Sequence, residues 1–210
     1  MRCDNHKDFM LLRDNELNSL ITLDLSNENL KDDNLNKNFI NKLNKCVNLN
    51  KLDLDSNQLT TLPENIFNKL INLEYLYLNN NQLTTFLKNI FDKLVNLKCL
   101  CLSNNQLTAL PENIFNSLVN LNRLDLYNNQ LTTLPESIFN SLVNLKYLNL
   151  YKIQSNEYIL KIGCQEHNLE YWVENLNEIA KPHGVTNQLD ILIYKTIINK
   201  YYNQYKNNIK

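Results

Sequence analysis

From Leu49 onward the chain alternates apolar and polar residues in a pattern that returns again and again. Its first half reads Leu-x-x-Leu-x-Leu-x-x-Asn-x-Leu, starting at Leu49, Leu73, Leu97 and Leu121, a period of 24 residues. Leu at the fourth and sixth places, with polar residues between, has the two-residue period of a strand buried on one face. The second half, as in LPENIFNKLINL from Leu62, drops that alternation and predicts a return segment. Pro63, Pro111 and Pro135 stiffen the start of a helical turn there, and Glu64, Glu112 and Glu136 follow them, where carboxylates suit a helix N-terminus. A strand and a return repeated at this period predict a solenoid. No unit can shield its own leucines, so neighbouring units stack and their strands form one parallel sheet with a spacing of about 4.8 Å.

Two further columns of the repeat carry structural expectations. Asn57, Asn81, Asn105 and Asn129 stand at the turn leaving each strand, where a side-chain amide can pair with backbone groups that the turn leaves open. Phe67, Phe91, Phe115 and Phe139 share one register in the return segments and are expected to stack along the opposite wall. The third copy has Phe86, Leu87 and Lys88 in place of Leu-Pro-Glu, which predicts a looser return.

The terminal copies are atypical, as the ends of such arrays usually are. The first starts at Leu20, carries Glu28 in place of the Asn, and lies 29 residues before the next copy. The extra residues around KDDNLNKNF predict a longer helix, and Cys46 replaces a core Leu. The last copy starts at Leu145 and loses the pattern at Ile153. The expected division is an N-terminal cap over 1–19, an array of about six units over 20–153, and a C-terminal α-helical cap over 154–210. In that last segment Leu169, Trp172, Val173, Leu176 and Ile179 share one helical face between Asn168 and Pro182. Leu189, Leu192, Ile193, Ile197 and Tyr201 predict a second helix. Helices here would cover the open leucine end of the array or dock an effector protein.

Composition narrows the function classes. Leu and Asn occur 41 times each, against two Gly and four Pro, so tight turns fall to Asn, which tolerates a left-handed backbone. A net charge of -1 with well-mixed signs provides no field for nucleic acid or an anionic membrane. No apolar run is long enough to cross a bilayer, and the charged N-terminus lacks a secretory signal. Five cysteines at irregular positions do not form a disulfide framework, and no Asn lies in an N-x-Ser/Thr site. These features predict an intracellular, cytoplasmic protein.

The repeated phrase NQL-T-x-LP-x-x-x-F resembles the leucine-rich repeat family, specifically its 24-residue class, over residues 20 to 153. The resemblance implies an α/β right-handed solenoid, with a concave parallel β-sheet and a short helical or irregular convex side. It also implies binding of a protein partner on the concave wall. Relatives of this class often carry cysteine-rich caps outside the cell, and this sequence has none.

The residues that change between copies are the candidate binding site. The third place of each unit holds Thr22, Lys51, Tyr75, Cys99, Arg123 and Tyr147; the fifth holds Asp24, Asp53, Tyr77, Cys101, Asp125 and Asn149; the seventh holds Ser26, Asp55, Asn79, Ser103, Tyr127 and Tyr151. Exposed positions also vary where nothing depends on them, and Tyr has high strand propensity. Against that stands the choice of residue. Tyr75, Tyr77, Tyr127, Tyr147 and Tyr151, with Arg123, Asp125 and Asn149 among them, place the side chains enriched in binding hot spots on one wall. The expected partner is a protein, with no nucleic acid, membrane or small-molecule substrate and no cofactor.

Candidate chemistry is weaker. Cys99 and Cys101 share a strand face at a spacing near or beyond the limit for a relaxed disulfide, and no His in the neighbouring columns could complete a metal site. They are expected to be ordinary exposed thiols. Cys164 and His167 could form a nucleophilic pair, but a lone pair at helical spacing is a weak signal. The sequence has no Gly-rich phosphate loop, His-Glu-x-x-His or nucleophile elbow, so no enzyme is expected.

Overall fold

The computed structural model describes residues 1–131, 134–135 and 138–149, with the backbone of 152–153 and 156–157. Seven short strands join one parallel sheet in chain order: β1 (Arg2–Cys3), β2 (Thr22–Asp24), β3 (Lys51–Asp53), β4 (Tyr75–Tyr77), β5 (Cys99–Cys101), β6 (Arg123–Asp125) and β7 (Tyr147–Asn149). The register never slips, and Leu23, Leu52, Leu76, Leu100, Leu124 and Leu148 face one another in sequence. A slip of one residue would turn every one of these buried leucines toward solvent. A short antiparallel pair, β8 (Lys152–Ile153) and β9 (Asn156–Glu157), follows. The C-terminal helices expected beyond it lie outside the described residues.

Turn chemistry sets the geometry at the exit of each strand. Asn27, Ser56, Asn80, Asn104 and Asn128 occupy the left-handed region, with φ between 52° and 59°. Asn accepts that backbone more readily than most residues, and Ser56 is the one departure in the column. Just after it, Asn81 donates through Nδ2 to Leu54 O at 2.9 Å and accepts Leu59 N–H at 3.1 Å, tying its unit to the one before. Asn57, Asn105 and Asn129 make the same pair of bonds, to Leu25 O and Leu30 N, Leu78 O and Leu83 N, and Leu102 O and Leu107 N. A second ladder runs along the flank: Asn72, Asn96, Asn120 and Asn144 donate at 2.9 Å to the carbonyls of Val47, Ile71, Val95 and Val119.

Beyond the first unit, the return segments are successive turns rather than helices. Ile66, Ile114 and Ile138 donate to the carbonyls of Pro63, Pro111 and Pro135 at 3.1, 3.2 and 3.1 Å. The third copy closes the same turn without proline, from Ile90 N to Leu87 O at 3.1 Å. Its return is not looser: Phe86 is buried edge-on against Phe91 at 5.3 Å and fills the volume that Leu occupies elsewhere. Phe67 stacks on Phe91 at 6.2 Å and Phe115 on Phe139 at 6.5 Å, with nearly parallel rings.

The N-terminal residues add to the array. β1 pairs with β2 ahead of the first repeat copy, and α1 (His6–Leu11) and α2 (Asp14–Asn18) place Phe9 and Leu17 in the core. Asn5 caps α1 by accepting Asp8 N–H at 2.8 Å. Glu28, at the place of the missing Asn, accepts His6 N–H at 3.3 Å and so serves this segment. The extra residues of the first unit form a 3-10 turn, Asp32–Leu35, and α3 (Lys37–Leu43), whose Phe39 meets Phe9 at 5.4 Å. Cys46 is fully buried in the leucine core, and burial pushes its thiol up to about 12.

Candidate functional site: the outer face of the sheet

The strand register arranges the outward-facing residues in rows. Thr22, Lys51, Tyr75, Cys99, Arg123 and Tyr147 align across the sheet, as do Asp24, Asp53, Tyr77, Cys101, Asp125 and Asn149. Beyond them a third row is knit by hydrogen bonds. Asn79 donates its backbone N–H and Nδ2 to the Asp55 carboxylate at 2.6 and 2.9 Å, and Ser103 Oγ donates to Asn79 Oδ1 at 2.8 Å. Tyr127 N–H donates to Asp125 Oδ1 at 3.2 Å. Tyr151 lies outside the described residues.

Cations on this face are braced against rings and carboxylates. Lys51 Nζ sits 4.8 Å from the centre of the Tyr77 ring and 3.1 Å from Asp53 Oδ2. The Arg123 guanidinium lies 3.9 Å from the centre of the Tyr147 ring, and its Nη2 donates to Asp125 Oδ2 at 3.1 Å. Such contacts hold long side chains in one geometry before any ligand arrives. Tyr75, Tyr77, Tyr127 and Tyr147 are half-buried against their neighbours rather than freely exposed. Burial pushes the Tyr77 hydroxyl up to about 12. Asp125 is only 8% exposed, so its carboxylate orients Arg123 from beneath.

Charge and aromatic character divide along the array. β2, β3 and the turn after it contribute Asp24, Asp53 and Asp55, with Lys51 among them, whereas β4 to β7 contribute the tyrosines and Arg123. Burial drives the Asp55 carboxyl up to about 6, against the lowering effect of the two bonds from Asn79.

Cys99 and Cys101 overturn an expectation. They are 8% and 6% exposed, not open thiols, because the longer Tyr77 on β4 and Arg123 on β6 reach over β5 and interact with the sulfurs. The two Sγ atoms are 3.6 Å apart. The hydrogen bond from Cys101 lowers the Cys99 thiol, helped by the charge of Arg123; giving that bond, together with burial, raises Cys101. Cys164 and His167 lie outside the described residues, and among the described residues no group of three or more His, Cys, Asp or Glu is placed to hold a metal ion.

One regular surface feature went unread in the sequence. Val47, Ile71, Val95, Val119 and Val143 form a column of exposed aliphatic side chains on the flank, each 39% to 52% exposed. Its signal was an aliphatic residue before Asn-Leu at the start of every unit from Leu49 to Leu145. Among the described residues, no helix is long and apolar enough to cross a membrane.

Comparison with known proteins agrees with this architecture. The leucine rich repeat family model matches residues 47–107 and 96–152. The crystal structure of InlP from Listeria monocytogenes is 32% identical, with a TM-score of 0.50, and the match covers 63% of this chain and 33% of that one. An internalin, InlF, from Listeria monocytogenes strain 4b F2365 is 24% identical with a TM-score of 0.53, over 71% of this chain and 38% of that one, a likeness of fold alone. The chain therefore spans well under half the length of either structure. No curated protein matches the sequence.

Proposed function

The chain belongs to the leucine-rich repeat family, and on that footing we propose that it is a non-catalytic recognition protein that binds a protein partner along the outer, concave face of its sheet. The observation that carries this reading is the braced aromatic and cationic surface, above all Arg123 held between Asp125 and the Tyr147 ring. Tyr and Arg concentrate binding energy at protein interfaces, and side chains already fixed lose less entropy on association. Tyr75, Tyr77, Tyr127 and Asn149 extend the contact surface on either side, and Tyr151 is assigned to the same face. Four described cysteines, Cys3, Cys46, Cys99 and Cys101, are unbridged, which supports assignment to a reducing intracellular compartment.

Co-purification of partners with the intact chain tests the reading. Replacing Tyr75, Tyr77, Tyr127 and Tyr147 together by Ala is expected to remove the partner while circular dichroism still reports the folded sheet. Undiminished recovery of the same partner by the folded variant would place the interface elsewhere.

A further inference from the structure

The carboxylates in the three outer rows are matched with cations, except one. Arg2 reaches Asp24 at 3.4 Å, Lys51 reaches Asp53 at 3.1 Å and Arg123 reaches Asp125 at 3.1 Å. Asp55 forms no ion pair among the described residues: Lys51 is held by Asp53 and offsets the Asp55 charge only weakly. The surroundings of Asp55 fix its carboxylate in place without neutralising it. Asn79, at the matching turn one unit on, donates its backbone N–H to Oδ1 at 2.6 Å and its Nδ2 to Oδ2 at 2.9 Å. Each oxygen has thereby used one lone pair, and the other remains for a further donor. Asn79 is oriented in turn by Ser103, whose N–H and Oγ donate to its Oδ1 at 2.9 and 2.8 Å. Burial, with the Asp53 charge beside it, still makes the ionised form of Asp55 costly.

We infer that Asp55 is the receptor for one guanidinium group, so that the partner of the outer face presents an arginine to the turn leaving β3. Who carries the arginine rests on the protein-recognition reading above; the chemistry of the site does not. A guanidinium brings two parallel N–H groups, one for the open lone pair of each oxygen, and cancels the one unmatched charge. An ammonium has no such fork and sheds its water less readily beside a half-buried carboxylate. An anionic group would meet Asp53 and Asp55 together and be repelled. Of the other groups nearby, Asp24 and Asp53 keep their ion pairs with Arg2 and Lys51, and Tyr77, pushed up to about 12, stays neutral. Asp55 alone therefore switches the site. Because the guanidinium binds the ionised carboxylate, affinity falls as pH drops through about 6. The charge that burdens the free chain is the one that binding offsets.

Titration of the full chain with N-acetyl-arginine amide at constant ionic strength, followed by amide NMR, tests it. The backbone and side-chain amide signals of Asn79 report directly, since both groups donate to Asp55. They should shift and saturate with a dissociation constant on the order of 10 mM. N-acetyl-lysine amide should bind at least about threefold more weakly and N-acetyl-glutamine amide should not shift them. Asp55→Asn, which keeps the side-chain shape, should abolish the response. On the unmodified chain, affinity for the arginine probe should fall about tenfold from pH 7 to pH 5, a readout that needs no variant to fold. The proposal is overturned by the lack of a saturable shift, by a shift that survives Asp55→Asn, by equal binding of the lysine probe, or by affinity that ignores pH. The probe is read without the partner, so failure here removes this subsite and leaves the tyrosine substitutions above to test the outer face separately.

Discussion

The interior and the outer face of the sheet are built from the same three-residue strands, yet they obey different rules. Inside, Asn57, Asn81, Asn105 and Asn129 repeat through the four regular units, and so do Phe67, Phe91, Phe115 and Phe139. Outside, Thr22, Lys51, Tyr75, Cys99, Arg123 and Tyr147 follow one another with no two neighbours alike. An interior residue must match its copy one unit away, amide to carbonyl or ring to ring, so one residue type satisfies the whole column. An outer residue must only fit beside its neighbour. Stability leaves its identity open, and the chemistry chosen there reports on what the surface meets.

Substitutions break or sharpen that contrast. Phe91→Ala is expected to have the largest effect, about 3–5 kcal/mol in denaturant unfolding, because Phe91 packs against both Phe67 and Phe86. Asn81→Leu should follow at about 1–3 kcal/mol, since it strands the buried N–H of Leu59. The Leu54 carbonyl keeps its bond from Asn57, which limits the loss.

The outer face should even work against stability at Asp55. Its carboxyl titrates near 6 in the folded chain against 3.8 as the ordinary value, so between about pH 4 and 6 the folded state holds more protons than the unfolded one. Stability should therefore fall as pH rises through that window, by on the order of 1–2 kcal/mol after allowing for solvent access to a half-buried group. Unfolding midpoints measured from pH 4 to 7 check the sign, and Asp55→Asn should flatten the slope. Smallest of all is Val119→Ser, on the exposed flank, expected within about 0.5 kcal/mol of the parent chain by thermal unfolding.

The 24-residue period made the sheet, its register and its Asn turns legible, because each is dictated by a residue that recurs at one place. What stayed hidden depended on neighbours across the sheet. The burial of Cys99 and Cys101 is decided by Tyr77 and Arg123 on adjacent strands, and no single-strand pattern reports how far those side chains lean. Phe86 read as a defect because it breaks the Leu-Pro-Glu phrase, yet its ring fills the same space. β1 is too short to show alternation and exists through pairing with β2. The flank ladder of Asn72, Asn96, Asn120 and Asn144 was visible as a repeated letter, but its role needs the carbonyl one unit back. Of the candidate site, the sequence supplied the rows; the bracing of Arg123 by Asp125 and Tyr147 came from geometry.

The most direct test of the central claim is the dissociation constant of a co-purified partner for three folded chains: the parent, Tyr77→Ala/Tyr147→Ala on the outer face, and Val95→Ser/Val119→Ser on the flank. The outer-face variant is predicted to bind at least about tenfold more weakly while the flank variant matches the parent. Parent-like affinity in the outer-face variant, with the loss falling on the flank variant instead, would contradict the account.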